Sequence, residues 1–531
     1  MQIRQLWLWL LGGVLLAGFA TPVRALSDSV DEPGIDARRL HTPPYDLTGR
    51  KIGIGQVEVG RPGLFGLDKP FSSILRALDV TAVFLRDEPA KGSTHLDTHA
   101  VMVATVMVSR DKRLRGVAPD ARLYASAIGS LRDAGQPEEC LASQHVAAQN
   151  GNDVRAINFS FGEPLRRDPR PNATLDGNAL LTRCIDWSAR VHNTLYVVAG
   201  NQGRGGIPIP TDNYNGLNVA ASVRREGRFT KLDFSNLSEL PEGVGRTTIL
   251  REINEGGRRS IDLVAPGSGI EVYNLNGEIM PVWGTSFAAP HVTATIALLQ
   301  EFGDRVLAQG RPNWSLDARR SEVMRAVLLN AADKLLDSGD GTYLGMARTL
   351  LSKGNETWLD GTAARDPAVP LDIEIGAGHL NAYRAYQQFE AGQWRAEAAV
   401  PSRGWDYGEV AVTSSRDYTF DAPLRGGSFV AATLTWHRHV ELNDANGNDR
   451  YDIGENFSDR GVNNLDLYLL PADGDDTAAS VCQSVSTVDS VEHIFCPVPS
   501  SGRYKLRVQY RQQVNEASQP YGLAWWTQAA N

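Results

Sequence analysis

Two segments of this chain, Thr98–Val108 and Ser286–Leu299, have helical length and are apolar on nearly every face. A helix without a polar stripe cannot lie on a surface, so both belong inside a core. From about Lys51 to Tyr383 short apolar runs alternate with helix-length segments, which predicts repeated βα units and a mainly parallel, buried sheet. The candidate strands are Ile52–Val57, Val154–Ser160, Thr194–Ala199, Leu217–Val223 and Ile261–Ala265, and a further helix is expected over Glu138–Gln149. From about Gly404 the texture changes. Alternating runs such as Phe429–Trp436, Asn464–Leu470 and Tyr504–Tyr510, separated by Gly, Asn, Asp and Pro clusters, predict an all-β sandwich.

A chain of 531 residues exceeds one ordinary domain, in keeping with these two textures. We expect a catalytic or binding domain over residues 48–391, a boundary at 392–403 and the sandwich over 404–531. Hydrophobic residues at 42% and charged residues at 22% describe a folded, soluble body. A net charge of −9, with no basic block interleaved with aromatics, argues against nucleic acid as a partner.

The N-terminus carries Arg4, an apolar run from Leu6 to Ala20 and the small-residue stretch Val23-Arg24-Ala25. Residues 1–25 therefore read as a secretory signal, and the run falls short of the roughly twenty residues that span a bilayer. Export to the periplasm or medium, no transmembrane anchor and a short segment over 26–47 are the expectations. In that setting four cysteines form two pairs, Cys140 with Cys184 and Cys482 with Cys496, although four buried thiols would also fit the count. Their spacing does not suit zinc.

The strongest local signal is Gly284-Thr285-Ser286-Phe287-Ala288-Ala289-Pro290-His291, running into Val292–Leu299. Proline is tolerated in the first turn of a helix, so Pro290 sets the helix start near Ser286. A hydroxyl there faces free backbone N–H groups and the positive end of the helix dipole, which can stabilise an oxyanion. The simpler alternative is that Ser286 only caps a buried helix.

The octet as a whole resembles the nucleophile signature of the subtilisin family of serine peptidases. Asp97-Thr98-His99-Ala100 resembles the family's histidine segment, and Gly116-Val117-Ala118-Pro119-Asp120-Ala121 follows in its expected place. Ala156-Ile157-Asn158-Phe159-Ser160-Phe161-Gly162 is similar to the strand edge that pairs with substrate, and Val197-Val198-Ala199-Gly200-Asn201 to the oxyanion segment. Phe234-Ser235-Asn236, Val264–Gly267 and Gly376–Ala382 are further echoes, so the resemblance covers roughly residues 48 to 391. It implies a subtilisin-like three-layer α/β fold and a peptidase acting on proteins or peptides as a monomer, with no cofactor in the chemistry. It also implies Ser286 as nucleophile, His99 as general base, Asn201 as oxyanion donor and Ser160, Phe161 and Gly162 as the edge for extended substrate.

The pattern breaks at the acid. Where the family has Asp-x-Gly at the end of the first core strand, this chain has Glu58-Val59-Gly60. Glutamate can orient His99 in the same way but is one methylene longer. Asp97 and Asp68 are poorer candidates: residues two apart on a helix point away from each other, and Asp68 lies in a Gly/Pro-flanked loop. A Glu-Asp-Ser arrangement on the same fold would need a second carboxylate one turn from His99, and none stands there. These departures leave open a weakly active or inactive binding protein on the same scaffold, and a sandwich that acts as a surface or carbohydrate-binding module.

Within the sandwich, Asp444, Asn446, Asn448 and Asp452, with Glu455 downstream, offer oxygen ligands for a structural calcium ion around Gly447. The spacing departs from the EF-hand pattern, and a solvated hairpin loop accounts for the same residues.

Overall fold

The structure is a computed structural model that describes residues 26–71, 76–130, 132, 134–200, 209–233 and 254–530. Residues 1–25, Asn201 and the Phe234–Asn236 echo lie outside the described residues. The first part is built on a ten-stranded sheet. In chain order its strands are β1 (Gly53–Glu58), β2 (Val80–Leu85), β3 (Glu88–Pro89), β4 (Arg122–Ala127), β5 (Val154–Phe159) and β6 (Leu195–Ala199). There follow β7 (Leu217–Arg225), β8 (Arg228–Leu232) and β9 (Leu263–Pro266), then the two-stranded ribbon β10 (Ser268–Tyr273) and β11 (Ile279–Trp283), and last β12 (Leu350–Leu351). The sheet order is β12-β8-β7-β6-β5-β1-β4-β2-β3 with β9 beside β7, and only β7/β8 and β2/β3 run antiparallel.

Helices cover both faces: α1 (Leu26–Val30), α2 (Thr98–Val108), α3 (Gln136–Ala147), α4 (Leu180–His192), α5 (Thr285–Ala308), α6 (Ser321–Asn330) and α7 (Ala382–Glu390). The expected mainly parallel sheet and the two enclosed helices are present. Every residue of β1 and β5 is buried, as strands covered on both faces must be. Helix α2 spans the residues expected of it. Helix α5 is longer than expected at both ends, and Val292, Ile296, Leu298 and Leu299 are fully buried along it. Each such side chain contributes about 1.5–3 kcal/mol of burial.

The chain before β1 is part of the same core. Leu26, Val30, Ile35, Leu40 and Leu47 are fully buried, and Ser29 Oγ lies 2.9 Å from His291 Nε2 on α5.

Two mainly antiparallel sheets face each other in the C-terminal part. One contains β13 (Ala399–Val400), β15 (Ser415–Phe420), β19 (Asn464–Pro471), β20 (Cys482–Ser484) and β22 (Tyr504–Gln512), with only β13 and β15 parallel. The other contains β14 (Arg403–Ala411), β16 (Phe429–Thr435), β21 (Val491–Pro497) and β23 (Ser518–Trp526). Leu434, Trp436, Leu467, Val508 and Trp525 fill the space between them. A separate hairpin, β17 (His439–Asn443) and β18 (Asn456–Gly461), reaches back to α4, where Phe457 packs on Trp187 at 5.5 Å. Both cysteine pairs are bridged: Cys140–Cys184 joins α3 to α4, and Cys482–Cys496 joins β20 to β21 across the two sheets.

Lys334 follows α6 and is fully buried, its Nζ 5.0 Å from the Phe495 ring and without a hydrogen-bond partner among the described residues. Burial, aided by the charge of Arg384, pushes its amine down to about 7. Unfolded, the same amine titrates near 10.4, so the folded state binds fewer protons between those values and stability rises with pH across that window. Lys334→Met should therefore stabilise the protein at pH 7 by about 1–4 kcal/mol, with the gain shrinking as pH approaches 10. Thermal denaturation across that pH range measures it.

Candidate active site

The site forms at the carboxyl ends of β1 and β5, where the sheet meets the starts of α2 and α5. Asp97 caps α2 by accepting a hydrogen bond from Ala100 N at 3.1 Å, which fixes the helix start and puts His99 in its first turn. Asp97 thus has a structural partner. Asp68 is also structural: it is fully buried against Arg61 at 2.8 and 2.9 Å and accepts from Leu64 N and Ser93 N.

Glu58 ends β1, 3% exposed, and its Oε2 lies 2.9 Å from His99 Nδ1. Its other oxygen faces Gln56 Nε2 at 3.4 Å, and the same amide donates to Ala100 O at 3.0 Å. Gln56 was not singled out from the sequence. The signal that could have found it is strand period: residues two apart share a face, so Gln56 follows Glu58 toward α2.

The ring of His99 is 39% exposed and stands 5.7 Å from the Phe287 ring. Burial alone would lower its pKa, but the Glu58 charge and hydrogen bond, with a smaller contribution from Asp97, raise it above the ordinary value. With Nδ1 committed to Glu58, Nε2 is the nitrogen left to exchange protons.

Ser286 is the second residue of α5, entered through Gly284 at φ +140°, a conformation that side chains avoid. Pro290 lies in the second turn rather than the first. It has no N–H for the Ser286 carbonyl, and Ser160 Oγ donates to that oxygen instead at 2.9 Å. Asn158 Nδ2 donates in turn to Ser160 Oγ at 2.8 Å. Ser286 Oγ donates to Ser160 O at 3.2 Å rather than to His99, so a rotation about its Cα–Cβ bond separates this state from one that could pass a proton to the imidazole.

Ser160, Phe161 and Gly162 continue beyond β5, with Phe161 stacked 4.5 Å from Phe159. The ladders of β5 stop at Phe159, and pairing resumes at Glu163 with Ile209. Thr285 Oγ1 donates to Gly200 O at 3.1 Å, which brings the end of β6 against the start of α5. Glu58, His99, Ser286 and Ser160 are thus brought together.

The loop between β17 and β18 packs against α3, where Tyr451 N donates to Gln144 Oε1 at 2.8 Å. Among the described residues no three His, Cys, Asp or Glu side chains converge as a metal cluster. Counting from Asp444, however, Asn446, Asn448, Arg450, Asp452 and Glu455 stand third, fifth, seventh, ninth and twelfth. The departure from the EF-hand loop is confined to the sixth position, where Asp449 replaces glycine but adopts φ +58°. Asp444 and Glu455 accept loop amides, and Asp452 accepts from the amides of Asn446 and Asn448. An all-oxygen donor set of this spacing fits a hard divalent cation.

The model of the subtilase family (Peptidase_S8) matches residues 82–349, a stretch that contains His99 and Ser286 but not Glu58. An alkaline protease of Alkalihalobacillus alcalophilus is 27% identical over 225 residues, covering 42% of this chain and 47% of that protein. Subtilisin Savinase of Lederbergia lenta is 27% identical over 225 residues, 42% of this chain and 67% of that protein. The matched stretch thus spans about half the length of the first of these relatives. Among solved structures, the prenylagaramide maturation protease PagA aligns with 67% of this chain and 99% of its own, at a TM-score of 0.43 and 18% identity.

If Glu58 holds the charge beside His99, the His99 ring should titrate above about 6.5 by NMR, and Glu58→Gln should lower that midpoint. A midpoint unmoved by the substitution would mean that the 2.9 Å pair does not exist in solution.

Proposed function

Because the chain belongs to the subtilase family, whose model matches just over half of it, we propose that it is an exported serine endopeptidase working through Ser286, His99 and Glu58. The observation that carries this reading is the Glu58–His99 hydrogen bond at 2.9 Å, set beside the helix start that presents Ser286. Glutamate in place of aspartate reaches the ring because β1 stops at Glu58, leaving its longer side chain directed at the first turn of α2.

In this mechanism an extended peptide pairs its acyl half with Ser160, Phe161 and Gly162. His99 Nε2 takes the proton of Ser286 Oγ as the oxygen attacks the scissile carbonyl, and Glu58 stabilises the imidazolium without itself becoming protonated. The negative oxygen meets the Ser286 N–H at the positive end of α5, with Asn201 as the second donor. His99 then protonates the leaving amine, and water repeats the sequence on the acyl-enzyme. The apolar run Leu6–Ala20 and the two disulfides support export to an oxidising compartment.

We also propose that Asp444, Asn446, Asn448, Asp452 and Glu455, with the Arg450 carbonyl, hold calcium as a structural ion. When bound it would supply cross-linking charge to the β17–β18 loop and take no part in the chemistry.

A fluorophosphonate should label Ser286 in the purified protein, and the label should vanish in Ser286→Ala and His99→Ala. No labelling of the folded wild type would favour a binding protein on the same scaffold. Glu58→Ala should cut turnover by about 10³–10⁴. Calcium at about 100 times its dissociation constant should add about 2.7 kcal/mol to stability. That increment should be absent in Asp444→Ala and Glu455→Ala, and an equal increment in all three proteins would refute the loop as the site.

A further inference from the structure

A cavity of about 450 Å³ opens just after α7, against the start of β14 and the end of β23, and neither the chemistry above nor the β17–β18 loop uses it. Three polar side chains in its lining, the Ser402 hydroxyl, the Arg403 guanidinium and the Gln528 amide, make no hydrogen bond or ion pair among the described residues. No carboxylate lines it among those residues either. The aromatic part of the lining is held in place. Trp394 Nε1 donates to Ala391 O at 3.0 Å, its backbone N–H donates to Trp405 O at 2.8 Å, and its ring lies so close to Gly404 that a Cβ there would stand 2.9 Å from Trp394 Cδ1. Trp526 carries two guanidiniums over its ring, Arg384 at 4.1 Å and Arg403 at 4.6 Å.

Nearby acids do not balance these two cations. Asp333, which Arg384 meets at 3.4 Å, is already engaged by Arg348 at 2.9 Å, and Arg384 Nη2 is buried without a hydrogen-bond partner among the described residues. Glu390, the acid that acts most on Arg403, is paired with Arg311 at 2.9 Å. Burial holds the Arg403 guanidinium below its ordinary pKa, the direction taken by a desolvated cation short of a partner. An anion entering here therefore meets charge that the fold has not neutralised. The rest of the lining says what kind of anion. A planar guanidinium takes a carboxylate through two parallel hydrogen bonds, whereas a hydroxyl and a carboxamide both donate and accept, as the hydroxyls of a sugar ring do. An indole offers a flat apolar wall for the C–H face of such a ring. A small inorganic anion would use Arg403 alone, and an apolar side chain would leave all three polar groups unpaired. The volume suits one small ligand or one unit of a chain.

We propose that this cavity binds a hexuronate, a sugar ring bearing a carboxylate, within an acidic polysaccharide. Arg403 takes the carboxylate, Ser402 and Gln528 take hydroxyls, and Trp394 takes the face of the ring. The place in the fold leaves the candidate active site free. Phe389, two residues before Ala391 in the lining, packs on Phe302 at 6.4 Å, and Phe302 stands sixteen residues along α5 from Ser286, about 24 Å of helix. The proposal does not depend on the peptidase reading.

Isothermal titration calorimetry of the full-length protein, without added calcium, tests it with trigalacturonate, galactotriose, triglutamate and acetate. Trigalacturonate should bind saturably and at least about tenfold more tightly than the other three, and Arg403→Gln and Gln528→Ala should each weaken it about tenfold. Gln528→Ala keeps the test open if loss of the stacked guanidinium unfolds the first variant. Affinity unchanged in the folded variants, or matched by galactotriose, overturns the proposal, as does no binding of trigalacturonate to the wild type. Triglutamate binding as tightly, and lost with Arg403→Gln, would make the cavity a site for acidic peptides. Acetate binding as tightly would make it a plain anion site. Either result overturns the sugar assignment.

Discussion

Pro290 has no N–H, so the carbonyl of Ser286, four residues earlier in α5, has no helical donor, and a buried carbonyl without one costs about 1–3 kcal/mol. Ser160 Oγ supplies the bond at 2.9 Å, and Asn158 orients that hydroxyl from the strand below. The start of the central helix is thereby tied to the end of β5. The tie depends on α5 being held in depth, which its burial against the sheet and against α2 provides. Once α5 is fixed, so are the turn at Gly284 and the ring of Phe287 beside His99.

The second tie, Glu58 to His99, has a different basis. A carboxylate 3% exposed is costly unless its oxygens are engaged. Here one faces the imidazole and the other the Gln56 amide, which is itself anchored on Ala100 O. Gln56 thus bridges the strand and the helix that carry the pair. A glutamate has one more rotatable bond than an aspartate, and this bracing from the same strand face is what restricts it. The raised His99 pKa is the electrostatic consequence: burial of the ring is the largest single influence and pulls it down, but the charge and hydrogen bond of Glu58, with the charge of Asp97, together outweigh it.

Much of this arrangement was legible because the sequence states it locally. Asp97 before an apolar run marks the start of α2, and an all-apolar Ser286–Leu299 marks an enclosed helix. What was not legible depends on partners distant in sequence. The far end of α5 turns polar at Gln300 and Glu301, which reads as a helix stop. In the fold Glu301 accepts the amides of Thr48 and Gly49 at 2.7 Å, and Gln300 donates to Ala318 O at 2.9 Å, so the polarity is consumed internally. Gln56 was hidden among apolar neighbours. The register of the β17–β18 loop was obscured by Asp449, whose positive φ stands where an EF-hand pattern leads one to expect glycine.

The boundary between the two parts looked like a linker in sequence, yet the β14-β23-β16-β21 sheet lies directly on α6. A Cβ at Gly522 would stand 2.5 Å from the Glu322 carbonyl carbon, so the strand can approach the helix this closely only without a side chain. Thr435 Oγ1 donates to Glu322 O at 2.8 Å, and Gln388 on α7 donates to Gly404 O and Trp525 O. All seven residues of β16 are buried, because Val430, Ala432 and Leu434 face the interior of the sandwich while Phe429 and Ala431 join Phe229, Ile261 and Trp358 of the first part. A strand buried on both faces belongs to two cores at once. Removing the C-terminal sheets would therefore uncover α6 and the aromatic cluster around Trp358, a loss of packing that a tethered module would not cause.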